Sequence, residues 1–148
     1  MIINKHLVKQ KYTDILVIDT VGVNKLDFPI EIIVSKDPNN HLQLVAFGYL
    51  SGKDTNTFTD FLTTFKQIAE EERNREGKDM SIGKVIVCDR FQAQTNAINC
   101  VFIDSKIIFC EVHIMRNIRN NCGINSELYK AATEMFVQRT EKYERKYK

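Results

Sequence analysis

Lys84-Val85-Ile86-Val87-Cys88-Asp89-Arg90-Phe91 is the stretch whose reading decides the fold. A short apolar run ends abruptly in a carboxylate, and a helical pattern follows. Such a run, without a polar face, reads as a buried strand. In open α/β sheets, ligands gather outside the carboxyl ends of the strands, so an acid at that place faces a cleft rather than the core. Asp is also a favoured helix N-cap, and taken alone Asp89 reads equally well as the cap of the next helix. The second acid in the same setting, Asp19 at the end of Ile15-Leu16-Val17-Ile18, tips the reading toward a cleft.

Around these two strands the chain reads in order. Residues 1–13 are polar and mixed, and are expected to be a loose lead-in. Val21-Gly22-Val23-Asn24-Lys25-Leu26-Asp27 carries turn chemistry. Phe28 to Val34 is a second strand, with Ile30, Ile32 and Val34 alternating with Glu31 and Ile33, and with Pro29 at its start, where a missing N–H is tolerable. Asp37-Pro38-Asn39-Asn40 is a turn, and Leu42 to Leu50 a third strand. The first fifty residues thus read as a three-stranded antiparallel meander.

The period then changes. Phe58, Phe61, Leu62, Phe65, Ile68 and Ala69 fall on one helical face, with Thr55, Asn56 or Thr57 as cap and Gly77 as stop. The run Glu70-Glu71-Glu72-Arg73 reads as the solvated face of that helix. After the strand at 84–88 comes a helix with Phe91, Ala97, Ile98 and Val101 inward, then a short strand from Lys106 to Phe109. A helical pattern returns from Cys110, with Met115, Ile118 and Cys122 in line and Gly123 as stop. Asn125 or Ser126 caps a last helix whose stripe is Leu128, Ala131, Ala132, Met135 and Phe136.

The order β-β-β-α-β-α-β-α predicts an α/β fold: a mixed five-stranded sheet with helices on both faces, the order of the ribonuclease H-like fold. The expected boundaries are a lead-in at 1–13, a core at 14–122 and a C-terminal helix at 123–148 that begins a truncated helical region. In that sheet Asp19 and Asp89 become neighbours at one edge.

Composition limits the alternatives. The chain has 148 residues, one domain's worth, and a net charge of +2. That balance does not describe a strongly basic nucleic-acid glove, so any such binding must come from a local patch or from metal-bridged contacts. No apolar run approaches the roughly 20 residues needed to span a bilayer, and the N-terminus lacks the apolar stretch of a signal peptide. The expectation is an intracellular protein, away from membranes, whose Cys88, Cys100, Cys110 and Cys122 are thiols.

Two carboxylates at one strand-end rim repel unless a cation lies between them. Magnesium suits them, since it takes oxygen ligands and is held by one or two carboxylates plus phosphate and water. All-oxygen ligation fits Mg2+ or Mn2+ and argues against zinc. Two such ions about 4 Å apart clamp the attacking and leaving oxygens of a phosphodiester displacement. A second constellation is Cys110-Glu111-Val112-His113. A Cys and a His three apart share a helix face and make half a zinc site by ligand type, but structural zinc needs four ligands. A satisfied helix histidine beside a thiol is the better reading of the residues alone.

Asp19-Thr20, Asn24-Lys25, Pro29, Gly48, Asp89, Ala97-Ile98, Val101-Phe102 and Cys110-x2-His113-x3-Asn117, in that order, resemble the transposase domain of Mutator-like elements (MULE). The resemblance covers roughly residues 12–120. It implies a DDE recombinase of the ribonuclease H-like superfamily that cleaves element ends and transfers strands into target DNA with Mg2+ or Mn2+. Asp19 matches the first catalytic, metal-binding acid and Asp89 the second. Cys110, His113 and Asn117 match a family motif of unclear role. The implied partners are DNA, both element ends and target, and a second copy of the chain; the implied location is the nucleus. Cys88 stands where the family usually carries Thr, Trp is absent, and Asp54 stands in for an acid ahead of the long helix. The family's third acid, a Glu, has no motif-based match here: Glu127, Glu134 and Glu141 read as ordinary helix glutamates. A domesticated or degenerate remnant that binds DNA or protein without catalysis is the alternative.

Overall fold

The computed structural model describes residues 1–9, 11–22, 28–37, 39–77 and 81–147, the side chains of 11–12 and 139–147 excepted. In chain order the elements are β1 (Ile2–Ile3), α1 (Lys5–Lys9), a 3-10 turn (Lys11–Asp14), β2 (Ile15–Gly22), β3 (Pro29–Lys36), β4 (Leu42–Tyr49), α2 (Thr55–Arg75), β5 (Val85–Cys88), α3 (Gln92–Val101), β6 (Lys106–Phe109), α4 (Glu111–Cys122) and α5 (Glu127–Tyr147). They fall into two compact units, Met1–Phe109 and Cys110–Lys148, described separately below. The expected turn at 23–27, with Asn24 and Lys25, and Pro38 of the second turn lie outside the described residues. No helix among the described residues is long and apolar enough to cross a membrane.

In the first unit one sheet runs β1-β4-β3-β2-β5-β6. β2 pairs antiparallel with β3, and β3 with β4, while β2–β5 and β5–β6 are parallel. The mixed α/β class and the antiparallel meander are as the sequence predicts. The sheet has six strands rather than five, because the N-terminus is not a loose lead-in. Ile2 and Ile3 pair with Phe47 and Ala46 on β4, and the Asn4 amide donates to the Val45 carbonyl at 2.7 Å.

The same segment overturns the solvated reading of Glu70-Glu71-Glu72-Arg73. Glu70 and Glu71 do keep access to solvent, but Glu72 and Arg73 are buried. Lys5 Nζ bonds Glu72 Oε1 at 2.9 Å, and Arg75 and Lys9 add ion pairs at 3.0 and 3.7 Å. Lys5 foremost holds the Glu72 carboxyl below the usual range. Arg73 donates to Thr13 Oγ1 and to the Ser81 carbonyl, each at 2.9 Å. A buried guanidinium needs such acceptors, and the N-terminal segment supplies one of them.

On β3 the buried residues are Pro29, Glu31, Ile33 and Ser35, whereas Ile30, Ile32 and Val34 are half-exposed. The register sets this. Leu16, Ile18 and Thr20 lie opposite Ser35, Ile33 and Glu31, and partners across an antiparallel pair share a face. Alternation alone does not say which set turns inward, since a one-residue slip inverts it. The inward face of β2 and β5, Leu16, Ile18, Ile86 and Cys88, forms one core with Phe58, Leu62, Phe65 and Ala69 of α2 and Ala97 and Ile98 of α3. Within this unit α1, α2 and α3 all contribute to that one core. Asp54, rather than Thr55, Asn56 or Thr57, is the N-cap of α2. Phe91, expected inward, is the exposed N-cap of α3, its ring in a T-shaped pair with Phe58, centroids 5.9 Å apart. Gly48 has a packing reason to lack a side chain: a Cβ there would meet Phe61 at 2.9 Å and the Met1 Cα at 3.1 Å.

The second unit is a pair of helices. Gly123, at φ 80°, ends α4 as expected, and Ser126 Oγ accepts from the Tyr129 amide at 3.2 Å to start α5. The stripes are thinner than predicted. Among the residues described, α4 has none buried, and on α5 Ala132 is buried while Leu128 and Met135 are exposed.

Replacing Arg73 by Ala removes two charge-assisted bonds from a buried place, and is expected to lower stability by about 3 kcal/mol. Urea unfolding of Arg73→Ala beside the parent chain measures it; a midpoint within error of the parent would refute the role given to Arg73.

Candidate active site at the carboxyl ends of the central strands

β2 is apolar and β-branched, suited to a central strand, and β5 lies beside it. The parallel register pairs Ile15 with Val85, Leu16 with Ile86, Val17 with Val87 and Ile18 with Cys88. The residue after Ile18 is Asp19 and the residue after Cys88 is Asp89. The parallel ladder ends at that last pair, and each acid is the residue that directly follows one of its members. Both are half-buried.

Their local hydrogen bonds are alike. Asp19 Oδ1 accepts the Thr20 amide at 2.9 Å, and Asp89 Oδ1 accepts the Arg90 amide at 2.6 Å. The capping reading of Asp89 does not hold, because the N-cap of α3 is Phe91, without a side-chain cap bond. A carboxylate has two oxygens and about four acceptor sites, and in each acid the following amide takes one of them.

The model of the MULE transposase domain matches residues 15–117, more than two thirds of the chain, from the start of β2 into α4. The chain belongs to the MULE transposase domain family. No curated protein matches it significantly.

In this MULE domain the other residues singled out from the sequence have separate settings. Cys110 is the N-cap of α4, again without a side-chain cap bond, and its carbonyl accepts the Ile114 amide at 3.1 Å. His113 is in the first turn, half-buried, and Asn117 is one turn further on and exposed. Among the described residues no group of three or more His, Cys, Asp or Glu side chains is placed to hold a metal ion. Asp54 is occupied as a cap: its Oδ1 accepts the Thr57 amide at 3.0 Å and its Oδ2 the Thr57 hydroxyl at 2.6 Å, the hydroxyl bond foremost holding its carboxyl below the usual range. Glu127 and Glu134 are exposed on α5, and the side chain of Glu141 lies outside the described residues.

Sequence reasoning missed Glu31. It is fully buried on β3, across from Thr20. Glu31 Oε2 accepts the Thr20 hydroxyl at 2.6 Å, and Oε1 accepts Gln94 Nε2 of α3 at 2.7 Å. Gln94 Nε2 also reaches Thr20 Oγ1 at 3.1 Å. Both donors to the carboxylate are neutral. Burial therefore dominates and pushes the Glu31 carboxyl up to about 7, with the nearby charge of Asp19 adding to the rise and the two hydrogen bonds opposing it. The signal available in the sequence was an acid inside Pro29-Ile30-Glu31-Ile32-Ile33-Val34, an otherwise apolar strand.

Glu31 titrates near 7 in the folded chain against 4.5 for an ordinary glutamate. Between those values the folded chain keeps a proton that the unfolded chain has released. The stability this gives is full below 4.5 and is lost as the pH rises through about 7. Its size is about 3 kcal/mol, at about 1.4 kcal/mol per pH unit. Asp54 and Glu72, held low, act in the opposite sense, losing their contribution in more acid solution. Urea unfolding across this interval is expected to show stability falling with pH in the parent chain and nearly constant in Glu31→Gln. Equal slopes in the two would show that Glu31 ionises normally.

Proposed function

We propose that this MULE domain is the catalytic core, or part of it, of a DDE-type transposase of the ribonuclease H-like superfamily. It would act on DNA, cutting phosphodiester bonds at element ends and transferring strands to a target, in the nucleus. The observation that carries the reading is that Asp19 and Asp89 each directly follow a member of the last parallel pair, Ile18 and Cys88. The mixed sheet, with three antiparallel strands before the parallel ones, supports it, as does the family.

The donor set fits Mg2+ or Mn2+ in chemistry: two carboxylates, hard and anionic, with phosphate and water to complete the shell. When bound, such ions supply charge stabilisation of the attacking and leaving oxygens. The chain's own part is to hold the donors. Asp19 and Asp89 would be the ligands, and the amides of Thr20 and Arg90 bond each carboxylate through Oδ1. Preset carboxylates avoid reorganisation when a substrate phosphate arrives. Arg90, exposed beside Asp89, adds positive charge at the same rim and suits a polyanion.

A second reading is favoured by one observation. Among the described residues no third acid joins the pair. A remnant that binds DNA or protein without cutting would keep the fold and the family match and lack that ligand. The two readings part on metal binding and strand transfer by the full chain.

Mn2+ titration of the chain, followed calorimetrically, is expected to show binding that Asp19→Asn and Asp89→Asn each weaken by more than about 100-fold. Even the partners behind a metal ligand are worth about 10–100-fold. Folded variants with unchanged Mn2+ affinity would exclude the paired-acid site. Mn2+ binding without cleavage of an element end would favour the remnant.

A further inference from the structure

We infer that Glu31 is a positioning residue, a buried clamp that fixes the two acid-bearing segments to each other through Thr20 on one side and Gln94 on the other. The inference rests on the paired-acid reading for its functional meaning, and on hydrogen bonds for its geometry. Thr20 directly follows Asp19 at the end of β2, and Gln94 lies in the first turn of α3, the helix that follows Asp89. The backbone ladder joins β2 to β5 only as far as Ile18 and Cys88. Beyond that rung β2 stays paired with β3, Asp19 opposite Ile32 and Thr20 opposite Glu31, but no ladder bond joins it to the segment that carries Asp89. Glu31 supplies a cross-link just there. One of its oxygens binds Thr20 and the other binds Gln94, at 2.6 and 2.7 Å.

The cluster is costly as a purely structural device. A fully buried carboxylate with two neutral donors is a poor source of stability, and apolar residues of similar volume often do as well or better. What it provides is direction: each bond fixes one segment, and the shared carboxylate fixes the distance between them. Gln94 makes the same point from the other side. It is itself buried, and its Oε1 meets no hydrogen-bond donor among the described residues. Among the described residues the amide is oriented by Glu31 and Thr20.

The test is hydrogen exchange read segment by segment on the full chain, with Mn2+ titration beside it. Glu31→Leu is expected to raise exchange at residues 19–22 and at 89–94 together, by about fivefold or more, the factor that loss of one ordinary hydrogen bond implies, while residues 42–49 change little. Thr20→Val loosens the first segment and Gln94→Leu the second. Glu31→Gln restores most of the protection, since it keeps an oxygen for Thr20 and brings an N–H that Gln94 Oε1 can accept once that amide turns over. Ile33→Val, a loss of core packing on the same strand, lowers stability without this pattern.

Exchange that rises evenly through the sheet in Glu31→Leu, or in one segment alone, overturns the clamp. If Glu31→Leu does not fold, Thr20→Val and Gln94→Leu decide, and the clamp fails if either leaves its own segment unchanged. The Mn2+ arm separates the two claims. Binding that ignores Asp19→Asn removes the paired-acid site while the exchange pattern stands by itself. Binding that needs Asp19 but not the Glu31 clamp, with Glu31→Leu and Gln94→Leu at the parent's affinity, refutes the positioning role.

Discussion

The parallel pairing of β2 with β5 is the constraint on which the rest of the first unit depends. Four rungs, Ile15–Val85 to Ile18–Cys88, join segments that are far apart in the chain. Such contacts close a long loop, and the entropy of closure must be met by burial. The inward residues meet it. Leu16, Ile18, Ile86 and Cys88 all enter the core shared with α2 and α3. Only because those side chains are fixed inward does the next residue on each strand become predictable in place. Move either strand by one residue and Asp19 and Asp89 no longer follow the same pair.

Three acids near this rim show how environment divides one chemical group into different behaviours. Asp19 and Asp89 are half-buried and each accepts the amide that follows it. Glu31, fully enclosed, has neutral donors only and its carboxyl titrates near 7. A half-exposed carboxylate suits a cation; an enclosed one suits the orientation of its neighbours. The contrast comes from solvent access rather than from sequence distance, since Thr20, bound to Glu31, is the residue next to Asp19.

Much of this was legible in the sequence. The apolar runs that stop at Asp19 and Asp89, and the stripe Phe58-Phe61-Leu62-Phe65 on α2, are local periodic signals that tertiary contacts reinforce. What was not legible depends on partners distant in sequence. The inward set on β3 is fixed by register with β2 rather than by its own alternation. Glu72 and Arg73 are buried because Lys5, Lys9 and Thr13 reach them, and a charge run carries no sign of that. Residues 2–3 form a strand only because β4 offers an edge. The two-helix unit shows the opposite case: regular stripes on α4 and α5 leave little buried among the residues described.

The N-terminal segment has a practical bearing on how the domain is delimited. The family match begins at Ile15, yet Lys5, Lys9 and Thr13 lie upstream and neutralise or accept from Glu72 and Arg73. Expression of a gene trimmed to the conserved border would strip counter-charges from the far end of the longest helix in this unit and bare the edge of β4. The evolutionary module and the physical folding unit thus have different left-hand borders, and recombinant work on such domains should follow the second.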